Sequence, residues 1–266
     1  MKGRVLVVAG SDSGGGAGIQ ADIKTITSLN GYAMTAITAL TAQNTNVVNS
    51  IFKIPPEFVA EQIRTTIEDL GLDSIKTGMM VDASIIEFAA DVLDDLGSGV
   101  PWVVDPVMVS TARDRLLNKD AIQSLKDRLI SRARLVTPNM AEAAVLSGIS
   151  VSNPNEMIEA GKAILDLGAK AVLVTGGHLT GSVLTDILVS SNGVNYYEGP
   201  RFETRNTHGT GCTLASAIAC GLAQGIEIEE AISRAHNFVA LAISSAPGFG
   251  SGHGPLNHSH TVSDTD

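Results

Sequence analysis

Aromatic residues are scarce in this chain, at 4%. Its interior must be filled by Ala, Val, Ile and Leu, and the 44% apolar content supplies them. That content also excludes global disorder. Charge is thin: Asp, Glu, Lys and Arg make up 17% of the 266 residues, against about a quarter in an average globular chain. Bases are the scarcer sign, 18 against 28 acids, which gives a formal charge of −10. This argues against a nucleic-acid partner, because the phosphate backbone demands a basic face. Two cysteines do not make a disulfide framework. Cys212 and Cys220 fall on one predicted helix, about 12 Å apart at its usual rise and too far to bridge. Free thiols suit a reducing cytosol, so a cytoplasmic setting is expected. No apolar run approaches the roughly 18 residues of a membrane span. The opening MKGRVLVVAGSD has a short apolar run and no A-x-A-like site, so no signal peptide is expected.

What is present is a regular alternation of strand-like and helix-like segments. Strands are predicted at 4–9, 32–41, 47–54, 73–77, 102–104, 133–137, 171–175, 183–190 and 193–199. Helices are predicted at 19–29, 56–70, 82–96, 119–131, 140–147, 154–167, 210–224 and 227–245. Short β-branched runs such as RVLVVA at 4–9 are typical of buried parallel strands. Pro55-Pro56 closes one strand and opens a helix. The Ser-Asn-Gly turn before 193 reads as a hairpin. Strands alternating with helices imply βαβ units, a mainly parallel sheet and helices on both faces. No linker or internal repeat divides the chain. One domain over 1–257 is expected, with a flexible tail at 258–266. In such sheets ligands bind at the carboxyl ends of the strands, so the loops there carry the functional reading.

Gly10 to Gly18, after the first strand, holds five glycines in nine residues. G-x-G-x-x-G and Walker A spacings both fail, so it is either a flexible turn or a loop that lets a ligand approach the backbone, with Ser11 and Asp12 as its polar groups. In NTHGTGCT (206–213), Gly209, Thr210, Gly211 and Cys212 stand at a helix N-terminus, with His208 beside them. Free backbone N–H groups and the helix dipole bind anions there, and the same place lowers a cysteine's pKa. The plain alternative is a capped helix with Cys212 as a small apolar residue. Asp105 ends one strand; Asn139 and Glu142 lie at the next strand-to-helix junction. Two such carboxylates can hold Mg²⁺ through water at a phosphate site, or serve as a turn former and a helix cap. The Gln43 amide offers a donor and an acceptor together, which suits a heterocycle with an amino group beside a ring nitrogen. Met79 and Met80 follow another strand and fit core or pocket. His253, His258 and His260 read as tail rather than metal site.

The chain resembles the hydroxymethylpyrimidine/phosphomethylpyrimidine kinases of thiamine biosynthesis, within the ribokinase-like superfamily. The resemblance runs from about residue 4 to 257. It rests on AGSDSGGGAGIQAD (9–22), TAQNT (41–45), KTGM (76–79), DPVM (105–108), TPNxxE (137–142), THGTGCT (207–213) and GHGPLNH (252–258). It implies an α/β fold of three α/β/α layers, with ATP and Mg²⁺. The reaction would be phosphorylation of 4-amino-5-hydroxymethyl-2-methylpyrimidine, then of its monophosphate to the pyrophosphate. Gln43 would hydrogen-bond the pyrimidine; Gly10, Ala17, Met79 or Met80, and Val107 would line its pocket. Residues 209–212 would form the anion hole, and Asp105 and Glu142 would organise magnesium and phosphates. A homodimer through strand 47–54 is also implied.

Two residues set this chain apart. Many sugar kinases of the superfamily end the G-x-G-x element with an aspartate base; here Cys212 stands there, as in the pyrimidine-kinase and some pyridoxal-kinase branches. The pattern VLVKGGH, common in this branch, reads VLVTGGH (172–178), so Thr175 replaces a lysine facing phosphate, and the resemblance implies that Thr175 and Gly177 lie at the nucleotide phosphates. The rival reading is a pyridoxal or pyridoxine kinase, alone or as a second activity, in which Cys212 could add to the aldehyde. A dinucleotide-dependent dehydrogenase lacks its glycine fingerprint, and a non-enzymatic binding domain would not need so many polar residues at strand ends.

Overall fold

The computed structural model describes residues 1–108, 119–177, 179 and 181–262. His178, the last residue of the VLVTGGH element, lies outside them. The strands are β1 (Arg4–Asp12), β2 (Tyr32–Gln43), β3 (Val48–Lys53), β4 (Ser74–Thr77), β5 (Trp102–Val104), β6 (Leu135–Val136), β7 (Ala171–Val174), β8 (Val183–Ser190) and β9 (Gly193–Pro200). The helices are α1 (Gly18–Ser28), α2 (Pro56–Leu70), α3 (Ala83–Leu96), α4 (Lys119–Ser124), α5 (Met140–Ser147), α6 (Pro154–Leu165), α7 (Thr210–Ala223) and α8 (Ile228–Ser244). The strands form one sheet in the order β3-β2-β1-β4-β5-β6-β7-β8-β9. Strands β2 to β7 of that order are parallel. β3 closes one edge antiparallel, and the β8–β9 hairpin closes the other. The chain leaves β1 toward β2 and β3, then returns to the opposite side of β1 as β4. That reversal opens a crevice at the carboxyl ends of β1 and β4.

Side chains alternate across the sheet with the two-residue period of a strand. Leu6 and Val8 join a core with Ile63, Ile86 and Ile164 on one face. Val5 and Val7 join a core with Ile26, Leu214 and Ile218 on the other. Both faces of β1 are therefore buried, which is why it reads as a continuous apolar run rather than an alternating one. Helix α7 covers the second face with Ala215, Ala217 and Ala219, all fully buried. Small residues stand in for the missing aromatics by letting the backbones approach.

Three differences from the sequence reading follow from packing. The helix expected at 119–131 breaks into α4, a π turn at Leu125–Leu129 and a 3-10 turn at Ile130–Arg132. The wider turn keeps Leu125, Leu129 and Ile130 together in the core. Strand β2 runs on to Gln43, two residues beyond its expected end, because it pairs with β1 past a bulge between Ala9 and Ser11 and with β3. Gln43 is thus held by a ladder and not by a loop.

The flexible tail expected from 258 is a correction at its start. His258 is buried, with Nε2 2.9 Å from Thr213 Oγ1 on α7. Its carbonyl accepts from Ser28 Oγ at 2.7 Å, and Thr261 Oγ1 donates to Ser28 O at 3.2 Å. The segment straps α1 to α7. Burial, with Lys24 and His260 nearby, pushes the His258 imidazole down to about 4 from its ordinary 6.5. The fold therefore holds it neutral while an unfolded chain takes up a proton, so stability should fall as pH drops from about 6.5 toward 4. Thermal melts across that range should show the slope, and a His258→Asn variant should flatten it.

Candidate active site

The crevice between β1 and β4 opens into a cavity walled by the β1–α1 glycine loop, the ends of β2 and β4, the segments after β5 and β6, and the start of α7. Gly10, Asp12, Ala17, Gln43, Met79, Asp105, Val107, Asn139, Glu142, Thr175 and His208 to Cys212 all face it. Two expected residues do not. Met80 is 1% exposed and belongs to the core against α2 and α3, because only one of two adjacent methionines leaving β4 can turn toward the crevice. Gly177 is not among the cavity-lining residues, and its carbonyl accepts from Arg201 Nη1 at 2.8 Å.

Asp12 shapes the glycine loop. Its Oδ1 accepts from Gly14 N at 2.8 Å, and its Oδ2 accepts from Gly16 N at 3.0 Å and Ala17 N at 2.8 Å. The loop's own amides are spent on this carboxylate, so the loop is a wall and not a phosphate cradle. Asp12 is correspondingly a loop organiser and not the free polar group the sequence suggested. Burial opposes its charge, but His208 and the Ala17 and Gly14 amides hold it below the usual carboxylate range. Gly209, at φ +85°, packs so closely on the Gly16 carbonyl that a Cβ would collide with it. The two glycine-rich segments thus meet backbone to backbone.

Gly209 is the N-cap of α7 and offers no side-chain cap. Thr210 N donates to Thr207 O at 3.3 Å, while the first-turn amides of Gly211 and Cys212 have no helical partner and stand at the cavity with the dipole behind them. Cys212 does not titrate low. Burial and the negative charges of Asp105 and Asp22 outweigh Lys76 and push the thiol up to about 12. The lowering that a helix terminus would bring is outweighed by these.

The sequence reading missed the groups beneath Cys212. Lys76, on β4, is completely buried. Its Nζ lies 3.0 Å from Asp22 Oδ1 on α1 and 3.5 Å from Asp105 Oδ2. Ser216 Oγ on α7 donates to the same Asp22 oxygen at 2.6 Å. Burial works against the ammonium, but Asp22, Cys212 and Asp105 hold it above its ordinary range. One signal was available. A lone lysine inside a parallel-sheet strand has no route to solvent and must be paired.

Asn139 and Glu142 form a capping box on α5: Asn139 Oδ1 accepts from Glu142 N, and Glu142 Oε2 from Asn139 N, both at 3.0 Å. Glu142 Oε1 also takes Met108 N at 3.4 Å. The capping role and the cavity position coexist. Burial first, and then Asp105, push the Glu142 carboxyl up to about 8. Lys76 pairs with Asp22 and Asp105, Glu142 lies against Asp105, and burial pushes all three carboxyls up, so the three acids are short of positive charge. Hard carboxylate oxygens in that state suit a divalent cation. Among the described residues no cluster of three or more His, Cys, Asp or Glu forms a metal site of the protein's own, so the cation would need phosphate and water to complete its shell.

An open α/β/α sheet with an acid pair and a helix N-terminus at its crossover defines a ribokinase-like small-molecule phosphotransferase. Residues 12–257 match the family described as phosphomethylpyrimidine kinase, and the chain belongs to that family. It is 43% identical over 254 residues to the hydroxymethylpyrimidine/phosphomethylpyrimidine kinase of Streptomyces coelicolor, covering 96% of this chain and 93% of that one. It is 48% identical over 257 residues to the thiamine biosynthesis bifunctional protein ThiED of Geobacter sulfurreducens, covering 97% of this chain and about half, 52%, of that longer protein. Among solved structures, the ADP complex of Bacillus subtilis pyridoxal kinase superposes with a TM-score of 0.90 at 38% identity, covering 97% of this chain and 98% of that one. The phosphomethylpyrimidine kinase of Clostridium difficile gives 0.80 at 40% identity, covering 91% and 100%.

Proposed function

We propose that this chain phosphorylates 4-amino-5-hydroxymethyl-2-methylpyrimidine with ATP, and then converts the monophosphate to the pyrophosphate ester for thiamine biosynthesis. The observation that carries the reading is the pairing, across one cavity, of the Gln43 amide on β2 with the α7 N-terminus and the Asp105–Glu142 acids. One wall matches an aminopyrimidine edge, and the other matches a phosphoryl group in transfer. Met79 and Val107 supply apolar contact to the ring.

Phosphoryl transfer passes through a loose transition state, so the protein's work is positioning and charge stabilisation. Within the 209–212 segment the Gly211 and Cys212 amides would face the developing charge, with Lys76 beneath them. The substrate hydroxyl sheds its proton late. A Cys212 thiol that rests protonated accepts that proton as its own passes to a neighbouring carboxylate, and Asp105 is that neighbour. Asp105 and Glu142 would hold Mg²⁺ through water, and the ion would neutralise the ATP phosphates. Thr175 offers no cation, so phosphate binding rests on backbone N–H groups, the helix end and magnesium. The chain acts as one cytoplasmic kinase domain. A homodimer would cover Ile51 and Phe52, which stand exposed on the β3 edge.

Protein given ATP, Mg²⁺ and the pyrimidine alcohol should yield a monophosphate and then a pyrophosphate by ³¹P NMR, and EDTA should stop both. Pyridoxal belongs in a parallel tube, because the B. subtilis pyridoxal kinase is so similar in structure. Phosphorylation of pyridoxal alone would overturn the assignment.

A further inference from the structure

As placed, the Gln43 amide puts Nε2 3.3 Å from His208 Nε2 and Oε1 3.2 Å from Thr41 Oγ1. Two orientations of an amide fill the same space, and only the partners decide between them. Here the decision comes from Asp12. His208 Nε2 also lies 2.8 Å from Asp12 Oδ2. That carboxylate already accepts three backbone N–H groups, so it is ionised and has no proton to give. The hydrogen between them therefore sits on His208 Nε2. A ring nitrogen that carries hydrogen cannot accept another, so an amide NH₂ turned toward it would set two donors face to face. The amide carbonyl must face His208. On the far side, Thr41 Oγ1 gives its single proton to Ser11 O at 2.9 Å and keeps lone pairs for the Gln43 NH₂. Along Asp12–His208–Gln43–Thr41–Ser11 donors then face acceptors, and only the second N–H of Gln43 is left over.

We propose that Asp12 and His208 fix the Gln43 amide with its carbonyl toward His208 and its NH₂ toward Thr41, and so set which way round a bound heterocycle lies. This rests on the function proposed above. A carboxamide so anchored keeps one N–H and one carbonyl lone pair for a ligand. That pair matches a ring nitrogen beside an amino group in one sense only. Turning the amide over would turn the ring over and carry its hydroxymethyl group away from the α7 N-terminus. Pyridoxal has no amino group beside its ring nitrogen and gains nothing from the fixed orientation. His208 is thus a positioning residue for the acceptor and a determinant of specificity, acting through Gln43. Its place beside the anion-binding segment had suggested a part in the chemistry instead.

The first test needs no substrate. Nitrogen-15 NMR of ligand-free protein should find hydrogen on His208 Nε2, and an Nδ1–H tautomer alone would overturn the proposal. The second measures equilibrium binding of the pyrimidine alcohol and of pyridoxal to His208→Ala and Thr41→Val variants. Each should weaken the pyrimidine by about tenfold, the scale of one net hydrogen bond, and pyridoxal far less. Thr41→Ser should restore the pyrimidine. Equal losses for both ligands would reduce His208 to a packing role and overturn the proposal. Should the protein bind no aminopyrimidine at all, the functional reading fails while the tautomer still tests the amide's orientation.

Discussion

Replacing Cys212 with alanine should lower kcat by about 10²- to 10⁴-fold, the usual worth of a positioned proton acceptor, and leave ATP binding in place. The thiol is a poor base at rest, pushed up to about 12. It becomes useful only because the hydroxyl proton moves late in a loose transfer. The pH–rate profile should therefore show no ionisation of a low-pKa thiolate. A variant with near-normal kcat would remove Cys212 from the chemistry and leave the α7 amides as the whole of the catalytic charge stabilisation. Cys212→Ser should fall between the two, because a hydroxyl can relay a proton but holds it more tightly.

Lys76→Met should cost about 3–5 kcal/mol of folding stability, the penalty for stranding a buried charge. That is a large part of the roughly 5–15 kcal/mol that holds a domain together. The ammonium lies 3.0 Å from Asp22 and 3.5 Å from Asp105, with no access to solvent. Its loss leaves two carboxylates buried without a cation. Urea titration of the single variant against Lys76→Met/Asp22→Asn should show part of the stability restored in the pair. Equal stability of wild type and single variant would mean that Asp22 already carries a proton in the fold.

The sequence revealed the parts of the site that lie at the carboxyl ends of strands and in the loops that follow them. Gln43, Asp105, Glu142 and the 209–212 segment come together as expected because the parallel sheet sends every such loop to one end. What it hid depends on pairing between distant elements. Lys76 and Asp22 are 54 residues apart and meaningful only as a pair. Asp12 looked like a ligand group because its three acceptor bonds run to loop amides that have no side-chain signature. Met79 and Met80 differ only in which way the chain turns as it leaves β4. His258 looked like tail because a strap with little regular structure has no periodicity to read. For Cys212 the position at a helix end was visible, and the burial and neighbouring acids that push its thiol up were not.

Helix α7 lies against β1 although about 200 residues of chain separate them, and its Leu214 and Ile218 cover Val5 and Val7. At ribosomal rates of about 5–20 residues per second, β1 waits roughly 10–40 s for that cover. During synthesis a strand built of Val and Leu stands with one apolar face bare, the kind of surface that sticks to other nascent chains. The thin aromatic content softens the hazard, and the late arrival of α7 sets its length. Folding yield in the cell should thus depend on how quickly the last quarter of the chain is made.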